Sequence, residues 1–426
     1  MKAIGIDIGT TSVCGIVTDV ESGKLLRSET KNSNAFLDGK AEWEKIQSVE
    51  KIISVAKNIL DSLIDEEVLA IGVSGQMHGI LYYGENKNAL SPLYTWQDGR
   101  GNLPYKDTTY ADFLKSFSGY GNVTDFYNRQ NGLVPKDAIG YCTIHDYFVM
   151  TLCNLKHPIV HSSNAASFGL FDLEKNESSY IYSPKAVNGY MIAGKYKNIP
   201  VSIAIGDNQA SVFSTLSNEE DVLVNVGTGS QISLISDTPL FFENIETRPF
   251  FEGKYLIVGS ALCGGRAYSL LKDFYSKIFS YDNEKSEEDI YNIMNKMLED
   301  SSSSSLFVDT RIAGTRANPR IRGNISNISV NNLTPENLTK GVIDGIAKEL
   351  FKMYEKIGIR KRGIIGSGNG IRKNPYLVRS FENLFNSKMI IPSHIEEAAF
   401  GAALFALISA GVFKNANEAQ KIIKYK

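Results

Sequence analysis

Two short segments carry the residue types of a phosphate cradle. Asp7-Ile8-Gly9-Thr10-Thr11-Ser12 and Asn225-Val226-Gly227-Thr228-Gly229-Ser230 lie between apolar runs and share Gly, Thr and Ser at one constant offset, about half the chain. A strand that ends in Gly-Thr exposes successive backbone N–H groups with no bulky side chain in front of them. Such a nest suits phosphate oxygens, and the hydroxyls of Thr10, Thr11, Ser12 and Thr228 add donors. Asp7 is placed to hold hydrated Mg2+, an ion that keeps its waters and takes one or two carboxylates. A plain β-turn explains a lone Asp-x-Gly-Thr equally well. The pair, one per half, points to two lobes facing one nucleotide. No Gly-x-x-x-x-Gly-Lys-Ser/Thr occurs, so neither segment is a Walker loop.

A second chemistry is offered by Gly206-Asp207-Asn208-Gln209-Ala210. Asp207 follows the apolar run Val201 to Ile205 and precedes a helical pattern that starts around Gln209. At the positive end of a helix a carboxylate stays ionised and can accept the proton of an attacking hydroxyl. Asp is also a favoured helix cap, and the residues alone leave these two roles even.

The elements that must position these groups alternate between strand and helix, the α/β arrangement. Strands are expected over Ala3–Asp7, Val13–Thr18, Lys24–Thr30 and Val68–Val73, with a helix whose apolar face is Ile46, Val49, Ile52, Ile53, Ala56, Ile59, Leu60 and Leu63. The second half repeats the theme with strands at Asp221–Val226, Gln231–Ile235 and Gly363–Ile365. Thr334-Pro335 and Asn374-Pro375 read as helix starts, and Gly358 as a stop. Ser286-x-x-Asp289 caps a further helix, and Ser301 to Ser305 reads as a surface loop. The apolar run Ala398–Phe413 suits a packed core helix, being shorter than the ~20 residues a bilayer needs.

Composition narrows the class. The chain has 426 residues, 43% hydrophobic and 22% charged, which excludes disordered, collagenous and disulfide-scaffold proteins. A net charge of −2 lacks the basic excess of a nucleic-acid binder and favours a small-molecule partner. Cys14, Cys142, Cys153 and Cys263 show no metal or disulfide spacing. With no targeting segment expected at the start, a cytoplasmic setting follows and no membrane partner is expected. The oligomeric state, homodimer included, stays open.

The motifs together resemble the FGGY carbohydrate kinases. They run in family order: Asp7 to Ser12, Gly75-Gln76-Met77-His78-Gly79, Trp96-Gln97-Asp98-Gly99-Arg100, Gly206-Asp207 and Gly227-Thr228-Gly229. Arg316-x-Asn318-Pro319-x-x-Arg322-Gly323 and Gly366-Ser367-Gly368 look like the family's C-terminal segments. Thr143-Ile144-His145-Asp146-Tyr147 and Asn164-Ala165-Ala166-Ser167, with Thr95 to Arg100, are similar to the sedoheptulokinase branch. Xylulokinases share Gln-Met-His-Gly but usually carry Asn where Gln97 stands.

The resemblance implies an α/β, two-lobed actin/hexokinase-like (ribonuclease H-like) fold with a duplicated core and a central nucleotide cleft, its lobes at 1–217 and 218–426. It implies transfer of a phosphoryl group from ATP, with Mg2+, to a primary hydroxyl of a ketose. Sedoheptulose is the first candidate and a pentulose the alternative. Asp207 would be the catalytic base, with Asp7 and Asp207 near the metal. Gln76, Met77, His78, Trp96, Asp98, Arg100, Asp207 and Asn208 would take the sugar. Thr10, Thr11, Ser12, Gly227, Thr228 and Gly229 would cradle phosphates. Gly264, Gly265, Gly366, Gly368 and Asn374 would border the adenosine. A non-catalytic actin-like ATPase or sugar sensor is the remote alternative. The other four histidines (His145, His157, His161, His394) read as structural or surface residues. Two departures stand out. Many relatives place Lys or Arg where Cys14 stands, and the segment from Gly121 to Tyr141 is short, without the family's Lys-hydrophobic-x-Trp.

Overall fold

The computed structural model describes residues 1–281, 286–300, 306–315, 318 and 320–426. Ser301 to Ser305, Arg316 and Pro319, singled out in the sequence, lie outside the described residues. The chain packs as two units. One comprises Met1–Ser217, Arg248–Tyr255 and His394–Lys424, and the other Asn218–Thr247, Leu256–Ser393 and Tyr425–Lys426. Two later segments of the chain therefore pack with the first unit.

In the first unit the strands are β1 (Lys2–Ile8), β2 (Ser12–Asp19), β3 (Leu25–Asn32), β4 (Val68–Gly75), β5 (Ile192–Tyr196), β6 (Ile199–Ser202) and β7 (Ile205–Gly206). They form one sheet in the order β5-β6-β4-β1-β2-β3, with β7 also beside β4. β1 is antiparallel to β2 and parallel to β4. Successive side chains on a strand point to opposite faces. On one face Ile4, Ile6, Ile8, Val13 and Val17 pack with Ile52, Ile59, Leu60 and Leu63 of the helix Val49–Leu63. Each such fully buried aliphatic side chain contributes about 1.5–3 kcal/mol.

The opposite face carries Ala3, Gly5 and Asp7 and receives the helix Glu397–Ser409. A Cβ on Gly5 would lie 1.8 Å from the Ala399 carbonyl oxygen, and one on Gly72 1.9 Å from that of Ala402. Helix and sheet therefore meet backbone to backbone. Gly401 repeats the device toward Ala210, where a Cβ would stand 1.9 Å from the carbonyl oxygen. These three glycines let a segment from the end of the chain approach the first unit this closely. This helix is the Ala398–Phe413 apolar run, buried nearly throughout. Among the described residues no helix is long and apolar enough to cross a membrane.

Two expected elements differ. Ile46 is not helical: Ser48 caps the helix by accepting from Lys51 N, and Ile46–Gln47 pairs as a short strand with Leu93–Tyr94. The apolar period simply continues upstream past the cap. The Val201–Ile205 run is broken into β6 and β7, and the following helix begins at Asp207, with Gly206 as its cap.

The second unit contains β8 (Asp221–Val226), β9 (Ser230–Ser236), β10 (Tyr255–Ala261), β11 (Gly363–Ser367) and β12 (Met389–Ile390), side by side as β10-β9-β8-β11-β12. Again the hairpin's first strand is antiparallel to the second and parallel to a later one. The two hairpins differ by one residue at the turn. Ile8 faces Val13, but Val226 faces Ser230. Thr334 caps the helix Pro335–Ile357, which Gly358 ends at φ 73°. Ser286 and Asp289 cap each other reciprocally.

Candidate active site

Asp7, next to last in β1, lies on the sheet face that receives the helix Glu397–Ser409. Its Oδ1 accepts from Ser74 Oγ at 2.9 Å. Burial pushes its carboxyl up to about 6, with the charge of Glu396 adding to the rise. Cys14 stands directly opposite Asp7 across the β1–β2 ladder. Residues opposite each other in a ladder share a face. The Cys14 thiol, pushed up to about 12 by burial, also lies within hydrogen-bonding reach of Thr30 and Glu396.

Asp207 is the first residue of the helix Asp207–Thr215 and accepts from Asn208 N at 2.7 Å. Burial, then the charge of Asp7, pushes it up to about 7, against the pull of Arg248. The helix end was expected to keep this carboxylate fully ionised, but desolvation is the larger effect. A base that titrates near neutrality is well matched to taking a proton from a hydroxyl. Arg248 also donates to Asn208 Oδ1 at 3.0 Å, which orients that side chain.

Met77 packs against the Gly206–Asp207 junction, where a Cβ on Gly206 would lie 2.9 Å from its sulfur. His78 adopts a left-handed backbone, φ 72°, held by its N–H donating to Ser167 Oγ at 3.1 Å. Its Nδ1 is 2.7 Å from the Ser167 carbonyl oxygen. A carbonyl only accepts, so Nδ1 carries the proton, and in the neutral ring Nε2 is an acceptor. Tyr120 stacks on the imidazole at 4.2 Å. Trp96 is 43% exposed, an open apolar face for the C–H side of a sugar.

Three expected contacts have other occupations. Asp98 and Arg100 are both buried and bonded to each other, with Asp98 also holding Lys45 N and Arg100 reaching Asn128 and lying over Tyr94. Together they brace the Trp96 loop. The Thr10 hydroxyl accepts from Trp96 Nε1 at 2.9 Å and donates to Gln76 Oε1 at 3.3 Å, so it is engaged within the unit. Thr11 is exposed on the turn and Ser12 opens β2.

In the second unit Gly227, Thr228 and Gly229 form the turn, and Gly265 N and Arg266 N donate to the carbonyls of Gly227 and Thr228. A Cβ on Gly264 or Gly265 would lie 2.5 Å from a carbonyl oxygen of that turn. The helix Gly265–Ser280 thus begins against the hairpin itself. Gly368, at φ 83°, lets the chain pass over the Val226 carbonyl, and Gly366 leaves room for Met389. Asn374 Oδ1 is a cap, accepting from Tyr376 N and Leu377 N. Gly264, Gly265, Gly366, Gly368 and Asn374 thus each have a packing or capping task within the second unit. Of the other histidines, His145 and His161 are buried, His394 stacks on Phe400, and His157 is exposed.

Residues 2–107 match the sequence model of the FGGY carbohydrate kinase N-terminal domain, and residues 222–410 that of the C-terminal domain. The chain belongs to the FGGY family of carbohydrate kinases. It is therefore a phosphotransferase acting on a carbohydrate. It is similar to the sedoheptulokinase of Mus musculus, 29% identical over 95% of this chain and 97% of that one. It is also similar to that of Homo sapiens, 27% identical over the same shares. The crystal structure of a xylulose kinase from Lactobacillus acidophilus superposes with a TM-score of 0.83 at 17% identity, covering 100% of this chain and 92% of that one. At that identity the likeness supports the two-lobed actin-like fold alone.

Sequence reasoning missed Gln47, Ser74, Tyr120, Arg248 and Glu396, and it noted Ser167 only within a motif. For Ser74 a signal existed, since Ser74-Gly75 and Ser367-Gly368 both follow an apolar strand. Arg248 and Glu396 had none, because only folding brings them to Asp207 and Asp7.

Proposed function

We propose that this FGGY kinase transfers the γ-phosphoryl group of ATP to a primary hydroxyl of a ketose, with sedoheptulose as substrate and its 7-phosphate as product. The observation that carries the reading is Asp207, the first residue of the helix Asp207–Thr215, set beside Met77 in a unit that also holds His78 and Trp96. Asp207 takes the proton of the attacking hydroxyl as the new P–O bond forms and the bond from the γ-phosphorus to the β-phosphate oxygen breaks, releasing ADP. His78 Nε2 accepts a sugar hydroxyl, and Trp96 packs the apolar side of the sugar. Backbone N–H groups of the Gly9–Ser12 hairpin bind phosphate oxygens.

Asp7 beside Ser74, with Asp207 in the same unit, would hold Mg2+. Hard oxygen donors with few carboxylates fit an ion that keeps most of its waters. When bound, the ion neutralises charge on the transferring phosphates. A cytoplasmic setting goes with this reading, since ATP and free cysteines fit a reducing compartment.

The sugar assignment draws on the similarity to two proteins named sedoheptulokinase. A pentulose is the second reading, since Gln76-Met77-His78-Gly79 is a motif that xylulokinases share. An ADP-release assay across C5 to C7 ketoses and polyols tests it. Sedoheptulose is expected to show the highest kcat/KM. A rank below xylulose and ribulose would replace the substrate and leave the reaction standing.

A further inference from the structure

Gln47 is fully buried in the first unit and makes two side-chain hydrogen bonds of opposite sense. Its Nε2 donates to the Thr10 carbonyl at 2.6 Å, and its Oε1 accepts from Gln76 Nε2 at 3.1 Å. Gln76 Oε1 accepts from the Thr10 hydroxyl at 3.3 Å, which closes a ring through Gln47, Thr10 and Gln76. Every donor in the ring meets an acceptor. Trp96 Nε1 joins from outside, donating to the Thr10 hydroxyl at 2.9 Å.

The backbone around Gln47 is tied to the same two places. Ile46 and Gln47 pair with Tyr94 and Leu93, and Lys45 O accepts from both Thr95 N and Thr95 Oγ1. Gln47 thus stands between the hairpin that carries Thr10 and the strand that leads into Trp96. A buried network in which each member is satisfied holds one arrangement, and removing a member leaves the others unsatisfied.

We infer that Gln47 is a positioning residue that links the sugar platform at Trp96 to the phosphate hairpin at Thr10, so that occupancy of one sets the geometry of the other. This rests on the proposed sugar kinase reading and adds the means by which sugar promotes phosphoryl transfer. Sugar bearing on Trp96 orients the Thr10 hydroxyl, and through Gln76 and Gln47 the peptide carbonyl of the same residue. Without sugar the hairpin is less well set for transfer, which limits loss of ATP to water.

The test compares wild type with Gln47→Met, which keeps the length and loses both hydrogen bonds, and Gln47→Glu, which keeps the acceptor alone. The first readout is the ratio of ADP release with and without sugar. It is expected to fall about tenfold in Gln47→Met and less in Gln47→Glu. An unchanged ratio in folded Gln47→Met overturns the inference while the kinase reading stands. The second readout needs no sugar turnover. With Trp43→Phe removing the other of the two tryptophans, Trp96 fluorescence is followed during ADP titration. The signal is expected to respond with Gln47 present and to lose that response in Gln47→Met, or in Gln47→Glu should the first variant not fold. A Trp96 signal that ignores ADP, or that responds equally in the variants, overturns the inference even if the sugar assignment fails.

Discussion

Ser74 Oγ donates to Asp7 Oδ1 at 2.9 Å across two parallel strands where the register places them side by side. The second unit repeats the arrangement with other atoms. Asn225 Nδ2 donates to Ser367 Oγ at 2.6 Å, and Asn225 and Ser367 are register partners in the same way. The duplication visible in the Gly-Thr hairpins therefore extends to a third strand. At the matched position one copy has a carboxylate and the other a neutral amide.

Asp207→Asn keeps the shape and loses the proton acceptor. Turnover is expected to fall about 10²–10⁴-fold with little change in sugar affinity, measured by steady-state kinetics and calorimetry. In wild type kcat/KM for sugar should decline below about pH 7, where Asp207 becomes protonated. Near-normal turnover in folded Asp207→Asn would transfer the base role to another group.

Cys14 shares a face with Asp7 and reaches Glu396, so a lysine there meets two carboxylates rather than an apolar core. Cys14→Lys is expected to leave the melting temperature nearly unchanged and to lower KM for ATP or raise kcat. A large stability loss without either kinetic gain would show that the position serves packing alone.

Arg100 and Asp98 form a buried pair that braces the Trp96 loop. Arg100→Ala leaves an uncompensated carboxylate and should cost about 3–5 kcal/mol in denaturant unfolding. If unfolding is unaffected while KM for sugar alone rises, Arg100 contacts the substrate instead.

His161 is buried among Phe251 and Phe405 and is held down to about 3 by desolvation, against an ordinary value near 6.5. Its folded value is depressed, so the unfolded chain binds the extra proton between about pH 6.5 and 3. The stability involved is present above that window and lost as pH falls through it. His161→Asn keeps an acceptor for Ser163 N. It should flatten the melting temperature between pH 7 and 4.5, and an unaltered pH slope would refute the assignment.

The sequence by itself determined the elements and the reaction class. Gly-Thr turns between apolar strands, the Thr334 and Asn374 caps and Gly358 are local choices, enforced by sterics and by hydrogen bonds a few residues long. Helix Val49–Leu63 was legible from its apolar face, though not its start, because periodicity does not register the capping hydroxyl of Ser48. What only the tertiary structure decided are properties of pairs distant in the chain. The burial of Asp98 and Arg100 against each other is one such property. Asp207 read as a fully ionised carboxylate until burial and Asp7 were seen to push it up. Gln47 carried no motif at all, and its place depends on Thr10, Gln76 and the Leu93–Tyr94 strand converging on it. Backbone preferences act over a turn and leave their mark in consecutive letters, whereas desolvation and side-chain networks depend on which surfaces meet, and that is settled only when the chain folds.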